Sequence, residues 1–325
     1  MKKIMAIMLM MIVTVMSACS TQESSSETGL TIYTSIYPIQ YFTERIGGEH
    51  VNANSIYPPG VDAHTYEPTA KTMAEIATSD AFIYLGAGLE GFAESAANAL
   101  AEEKVQLMEL GAHEELFTKV EVDNHGEHGE HEEHEENHDE EHKGDHDHNH
   151  SGKDPHVWLD PLRSQMMAKY IKQELVKLAP EHKEQFNENY EKLVNDLESL
   201  HEQFKSVTQQ ADQNKLLVSH AAYGYWEQRY GIEQISVNGI SPNSEPSQKD
   251  VKQLIEKTKK ENLSYMIFEQ NVSNQVASMI QREIGAKALT IHNLSVRTEQ
   301  DIKEEQDYLS LMKHNLNVLE KALND

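Results

Sequence analysis

A 325-residue chain with a single cysteine, Cys19, cannot form an intrachain disulfide, so its stability has to come from packing or from bound metal. Cationic side chains are scarce too: 28 Lys and Arg stand against 54 Asp and Glu, a formal net charge of −26. A surface of that sign cannot follow a phosphate backbone, which excludes nucleic acid as the partner and suits a protein that handles cations. Long apolar runs are missing as well. The run IMAIMLMMIVTVM, residues 4–16, has 13 residues, well short of the ~20 that a membrane-spanning helix needs.

The flanks of that run give it a different reading. Lys2 and Lys3 precede it, and the small pair Ser17-Ala18 and then Cys19 follow. A positive start, a short apolar core and small residues before a cleavage point predict a signal peptide over 1–18. MSAC resembles a bacterial lipobox, with Met16 where Leu is usual, so Cys19 is the expected lipidation site. STQESSSETG (20–29) then serves as a flexible polar tether. The mature protein is expected on the extracellular face of a Gram-positive-type cell membrane, anchored by lipid.

From Leu30 onward, short β-rich runs alternate with helical ones. Expected strands are 30–37, 50–57, 81–86 and 104–110, with helices at 38–46, 69–78 and 91–103 between them. The alternation returns with strands at 215–220, 233–239, 265–270 and 287–292, with helices between and one after. This pattern predicts an α/β protein of two Rossmann-like lobes, each a mostly parallel sheet flanked by helices. The first lobe is expected over 30–180 and the second over 211–325. Between them, Phe186, Tyr190, Leu193, Leu197, Leu200, Phe204 and Val207 recur at gaps of three and four, one buried stripe on a helix over 181–210. Such a helix is about 45 Å long and suits a rigid strut between lobes.

Nine of the eighteen histidines crowd into HGEHGEHEEHEENHDEEHKGDHDHNH: His125, His128, His131, His134, His138, His142, His146, His148 and His150. Residues 121–150 carry thirteen acids and one lysine, about −12 of the total charge, and 121–153 has almost no apolar side chain. The segment cannot offset the entropy of ordering its backbone, so it is expected as a disordered insert in the first lobe that binds metal weakly. His134-Glu-Glu-Asn-His138 spells H-E-x-x-H, but that zinc-protease signature requires a packed helix and arises by chance in a His/Glu tract.

The isolated histidines are better placed. His64 lies in PPGVDAHTYEPT (58–69) beyond the second strand, His156 in DPHVWLDP (154–161), and His220 ends KLLVSH (215–220). Ligands of open α/β sheets gather beyond the carboxyl ends of the strands. A lone histidine there is ordinarily a hydrogen-bonded loop residue, and His220 would come from the opposite lobe to the other two. Asp154, Asp160 and Glu67 flank these histidines and are candidates to hold the second ring nitrogen, or simply solvated loop carboxylates. Trp158 and Trp226 are expected to wall the cleft or pack the core.

PPGVDAHTYEPT, DPHVWLDP, SHAAYGYWEQRYG and GISPNSEPS (239–247), in this order, resemble the metal-binding lipoproteins of bacterial zinc and manganese ABC importers (cluster A-I solute-binding proteins). The likeness runs from Leu30 to the C-terminus and falls in the zinc-specific, ZnuA/AdcA-like branch, which also carries an acidic His-rich loop before its DPH motif. The resemblance implies two lobes joined by a rigid helix with the ion buried between them. It places His64, His156 and His220 at the three imidazole ligand positions. His at the third position, where manganese members carry a carboxylate, points to Zn²⁺. Where many relatives supply a fourth ligand from Glu, this chain has Ser295 in IHNLSVRT (291–298). His292, Glu269 or a water is then the candidate for that place.

The implied function is extracytoplasmic capture of Zn²⁺ by a monomeric, non-enzymatic lipoprotein that delivers it to a membrane permease and its ATPase, with the His-rich loop as a collector. The competing readings are a manganese-specific member of the same family, a surface adhesin or zinc buffer, and a secreted zinc hydrolase with a water-capped metal.

Overall fold

The computed structural model describes residues 29–118, 153–240, 246–271 and 274–324. The expected signal peptide, Cys19 and nearly all of its tether, the nine-histidine run, and 241–245 of the GISPNSEPS motif lie outside the described residues.

The first lobe runs β1 (Leu30–Thr34), α1 (Tyr37–Gly47), β2 (Val51–Ser55), α2 (Ala70–Ala77), β3 (Ala81–Tyr84), α3 (Ala93–Leu100) and β4 (Gln106–Glu109). Two helices follow, α4 (Pro161–Leu178) and α5 (Lys183–Gln209). The second lobe runs β5 (Lys215–His220), α6 (Gly224–Tyr230), β6 (Glu233–Asn238), α7 (Gln248–Glu261), β7 (Tyr265–Glu269), α8 (Gln275–Ile284), β8 (Lys287–Ile291), α9 (Glu299–Lys303) and α10 (Tyr308–Asn324).

All pairings are parallel, and the two sheets share one topology, β2-β1-β3-β4 and β6-β5-β7-β8. Strands covered on both faces must be apolar nearly throughout. Accordingly every residue of AFIY in β3 is buried, as are five of the six in β5. This order puts a switch point between β1 and β3 and another between β5 and β7, where the connections leave in opposite directions and a crevice opens beyond the carboxyl ends.

The strut is present with a slightly later start. A 3₁₀ turn at Pro180–His182 precedes α5, whose 27 residues span about 40 Å. Phe186, Leu193, Leu197, Leu200 and Phe204 are buried along it, with Tyr190 and Val207 packed at the margin of the core. The helix packs on α1 and α4 on one side of the molecule and on α10 on the other, so it belongs to neither lobe alone.

The 18-residue helix α4 has no counterpart among the sequence expectations. Asp160 caps it, accepting from the Leu162 amide at 3.0 Å, and Pro161 fills its first position. Its apolar stripe is hidden because Arg163, Ser164 and Glu174 are buried on it beside Met167, Ile171 and Leu175. Arg163 turns inward to the carbonyls of Leu116 and Thr118 and lies over the ring of Tyr225, 4.2 Å from its centroid.

Large aromatic groups lock the lobes together. The indole N–H of Trp158 donates to the Asn293 carbonyl at 2.7 Å, and that of Trp226 to the Leu159 carbonyl at 2.7 Å. The Tyr308 hydroxyl donates to the Trp158 carbonyl at 2.7 Å, and the Tyr37 amide to the Ser295 carbonyl at 2.9 Å. The buried side chains of Trp158, Trp226 and Tyr308 therefore cover apolar area while the polar atom of each finds a partner in the other lobe. One apolar core continues from the first sheet through α4 and α5 to α10, with a smaller cluster around Leu217, Met266 and Ile280.

Candidate metal centre

Two of the three isolated histidines are set by the same local device. In Asp62-Ala63-His64 the Asp62 carboxylate accepts the backbone N–H of His64 at 2.9 Å. In Asp154-Pro155-His156 the Asp154 carboxylate accepts the backbone N–H of His156 at 3.0 Å. An aspartate that closes a turn on the amide two residues later fixes where the next side chain leaves the backbone. Asp154 does more, because the same Oδ1 lies 2.7 Å from His156 Nδ1. The loop carrying His64 is pinned from outside: the Tyr57 hydroxyl donates to the Ala63 carbonyl at 3.2 Å, and the Gly60 amide to the Arg297 carbonyl of the second lobe at 3.0 Å.

His220 needs no turn, being the last residue of β5, paired in register with Asn238 of β6. Its Nδ1 lies 2.5 Å from Oε1 of Glu269, the last residue of β7, and its Nε2 lies 2.7 Å from the Ile240 carbonyl. The pair occupies the switch point of the second sheet.

The three rings meet between the lobes. Centroids are 5.5 Å apart for His64 and His156, 5.7 Å for His64 and His220, and 4.9 Å for His156 and His220. One ring nitrogen from each lies within 4.8 Å of the others, and among the described residues this is the group that could hold a metal ion. Nitrogens bound to one tetrahedral zinc at ~2.05 Å stand about 3.3 Å apart, so a group within 4.8 Å lies no more than about 1.5 Å from the spacing a shared ion requires. His156 Nε2 is buried without a hydrogen-bond partner, a lone pair or proton with nothing in the protein to satisfy it.

The electrostatics separate the three. Burial, and then the proximity of His156 and His220, lowers His64 from 6.5 to about 4, so it is neutral at pH 7 and ready to ligate. Burial pulls His220 down as well, but Glu269 and the Ile240 carbonyl more than offset this and raise it above its ordinary value. Both His220 nitrogens face oxygens, an arrangement that favours the imidazolium. Burial pushes Glu269 up, while His220 and the amide of Asn293 more than offset it and hold the carboxylate below its usual range.

The candidates for a fourth ligand are used elsewhere. Neither Glu269 nor His292 belongs to the converging group. Glu269 is bonded to His220 and Asn293. His292 accepts the Leu294 amide at Nδ1 (2.9 Å), which leaves the proton on Nε2 to face Asp301 at 3.1 Å. That histidine braces the turn after β8. Ser295 turns its hydroxyl to Asn293 at 2.9 Å. Of the flanking acids, Asp154 alone holds a ligand-position ring. Asp160 caps α4 and accepts Arg229 Nε at 2.6 and 2.7 Å, and Glu67 is exposed. Trp158 and Trp226 are wholly buried core residues.

Four contributors escaped the sequence reading. Asp62 was legible, since D-x-H occurs at both 62–64 and 154–156. Tyr223, Gly224 and Asn293 were not. The buried Tyr223 hydroxyl lies beside Glu269. A Cβ on Gly224 would stand 2.8 Å from Asp154 Oδ2, so only glycine leaves room for that carboxylate. Asn293 is bonded to Glu269 and Trp158 across long sequence separations.

Comparison with known proteins agrees with this geometry. The family model described as zinc-uptake complex component A, periplasmic (ZnuA), matches residues 32–322. The zinc-binding lipoprotein AdcA of Streptococcus pneumoniae is 31% identical over 326 residues, covering 99% of this chain and 61% of AdcA, so the chain spans about three-fifths of that relative's length. The high-affinity zinc uptake system protein ZnuA of Bacillus subtilis is 31% identical over 310 residues, covering 94% of this chain and 91% of the relative. The Zn(II)-bound ZnuA-like domain of Streptococcus pneumoniae AdcA superposes with a TM-score of 0.70 at 29% identity, over 91% of this chain and 100% of that domain. Matched along nearly its whole described length and built on the same two-lobed frame, the chain belongs to the ZnuA family of zinc-uptake complex components.

Proposed function

We propose that this chain captures Zn²⁺ outside the cell through His64, His156 and His220 and hands it to a membrane permease driven by an ATPase. The observation that carries the reading is the approach of three imidazole nitrogens, one from each of three separate segments, to within 4.8 Å of one another between the lobes. Three nitrogen donors and no carboxylate in the group suit borderline-soft zinc better than manganese, which prefers oxygen. A water completes the tetrahedron in this reading. The ion is cargo: Glu269, the buried carboxylate beside the cluster, is committed to His220 and Asn293 and does not serve as the general base a hydrolase would require. Lipidation at Cys19 would keep the monomer beside its permease, and the histidines of 121–153 would raise the local zinc concentration.

Competition against a chelator of known affinity tests the proposal. One tight zinc per chain is expected, lost in each of His64→Ala, His156→Ala and His220→Ala and retained when 121–153 is deleted. Tight binding that survives His64→Ala but not the deletion would reverse the ranking of the two sites.

A further inference from the structure

Asn293 sits in the turn after β8, 7% exposed, and every polar atom of it is used. Its Nδ2 donates to Glu269 Oε2 at 2.8 Å. Its Oδ1 accepts from the Ser295 amide at 3.1 Å, the Ser295 hydroxyl at 2.9 Å and Gln270 Nε2 at 3.2 Å. Its backbone N–H donates to Gln270 Oε1 at 3.0 Å, and its carbonyl accepts the Trp158 indole at 2.7 Å. With three donors on Oδ1 the amide cannot flip, so the face it presents to Glu269 is always the N–H face.

We infer that Asn293 is a positioning residue for ion capture: it orients Glu269, which fixes the tautomer and aim of His220, and through Trp158 it ties that pair to the segment bearing His156. This rests on the reading that His64, His156 and His220 hold the cation. The physical reason lies in what a buried carboxylate does when one oxygen loses its donor. Glu269 Oε1 must remain an acceptor for His220 Nδ1–H if Nε2, 2.7 Å from the Ile240 carbonyl, is to give up its proton and offer the lone pair that ligates. Without the Asn293 donor at Oε2, the buried carboxylate is left under-satisfied and free to rotate, and His220 then samples the tautomer with its proton on Nε2, which leaves that nitrogen no lone pair for a metal. Trp158 lies two residues beyond His156, so the Asn293 carbonyl sets the distance between one ligand's segment and the other's support. Asn293 itself is not in the converging group.

The test is a double-mutant cycle on the full chain, with zinc affinity read by chelator competition. Asn293→Ala is expected to weaken zinc by about 10- to 100-fold, the range for groups that support a ligand without touching the metal. The same change made in a Glu269→Gln background should then cost much less, because the carboxylate it orients is gone. If Asn293→Ala does not fold, Asn293→Ser takes its place: the hydroxyl can still close the turn but does not reach Glu269. The second readout is the nitrogen chemical shifts of the His220 ring in the zinc-loaded protein. A single Nδ1-protonated tautomer is expected in the parent and an altered or mixed signal in the variant. An equal loss in both backgrounds, with the His220 shifts unchanged, would make Asn293 a brace for the turn and overturn the inference. His64→Ala, run in parallel, keeps the two readings apart: if it binds zinc like the parent, the three-histidine site itself fails. If it loses zinc while Asn293→Ala does not, the positioning role alone fails.

Discussion

Oδ1 of Asp154 accepts both the backbone N–H of His156, at 3.0 Å, and faces its ring Nδ1 at 2.7 Å, so one carboxylate sets both where the side chain begins and which nitrogen it offers. With Nδ1 engaged, Nε2 is the free nitrogen, and it is the buried atom without a partner. Asp154→Ala is therefore expected to lower zinc affinity by about 10- to 100-fold. Gly224→Ala should move affinity in the same direction by less, because its new methyl group crowds Asp154 Oδ2 without removing it. Chelator competition on both variants checks this; an unchanged affinity in Asp154→Ala would show that His156 needs no orienting partner.

Zinc binding should depend on pH in a way set by His220 more than by His64. His220 is raised above its ordinary value, so it holds its proton to higher pH than a free imidazole and the metal competes with that proton, whereas His64, lowered to about 4, is already neutral. Affinity is expected to keep rising with pH through neutrality, and zinc binding near pH 7 should release protons. Titrations at about pH 6, 7 and 8 in weak buffer read both effects, and Glu269→Gln should flatten the profile. Affinity independent of pH would contradict the assignment.

The metal-free fold has its own dependence. An unfolded chain protonates His64 near pH 6.5, while the folded one refuses the proton until about pH 4. Between those values the unfolded state binds more protons, so stability present above 6.5 is lost as pH falls toward 4. His220 works oppositely: its contribution is complete below 6.5 and is lost as pH rises through its elevated value. Thermal melts of the metal-free protein between about pH 7 and 4 should show a fall that is shallower in His64→Gln.

Asp160 joins the lobes electrostatically. It caps α4, accepts Arg229 Nε at 2.6 and 2.7 Å from α6 and lies 3.3 Å from Arg163 Nε, all nearly out of water. Asp160→Ala strands two guanidinium groups and is expected to cost about 3–5 kcal/mol of stability. Denaturant unfolding measures it; a loss under ~1 kcal/mol would mean that water reaches the arginines.

His292 provides a contrast. It is 4% exposed and held between the Leu294 amide and Asp301, whose carboxyl is kept well below its usual range despite burial, largely by His292 and Thr298. His292→Ala should lower stability by about 1–3 kcal/mol through the stranded turn, yet weaken zinc far less than His64→Ala. A loss of binding equal to that of His64→Ala would make it a ligand after all.

Much of this was written along the chain. Eight strands fall within a few residues of where their β-branched and aromatic runs predicted, because burial on both faces requires such runs. The strut announced itself through Phe186, Leu193, Leu197, Leu200 and Phe204, since one helix face repeats every three to four residues. D-x-H at 62–64 and 154–156 went unread, although an Asx turn is a local interaction that the chain spells out. Helix α4 stayed hidden because Arg163 and Ser164 are buried for partners, Leu116 and Tyr308, that lie far away in sequence.

Composition and period thus determined the class of fold and the acidic, cation-handling character, and the family resemblance singled out the three imidazoles. Only the tertiary structure decided who holds them. Glu269 meets His220 across 49 residues and Asn293 meets Trp158 across 135. Hydrogen bonds of this kind have no periodicity to read, and they exist only once two parallel sheets have brought the ends of their strands to a common cleft.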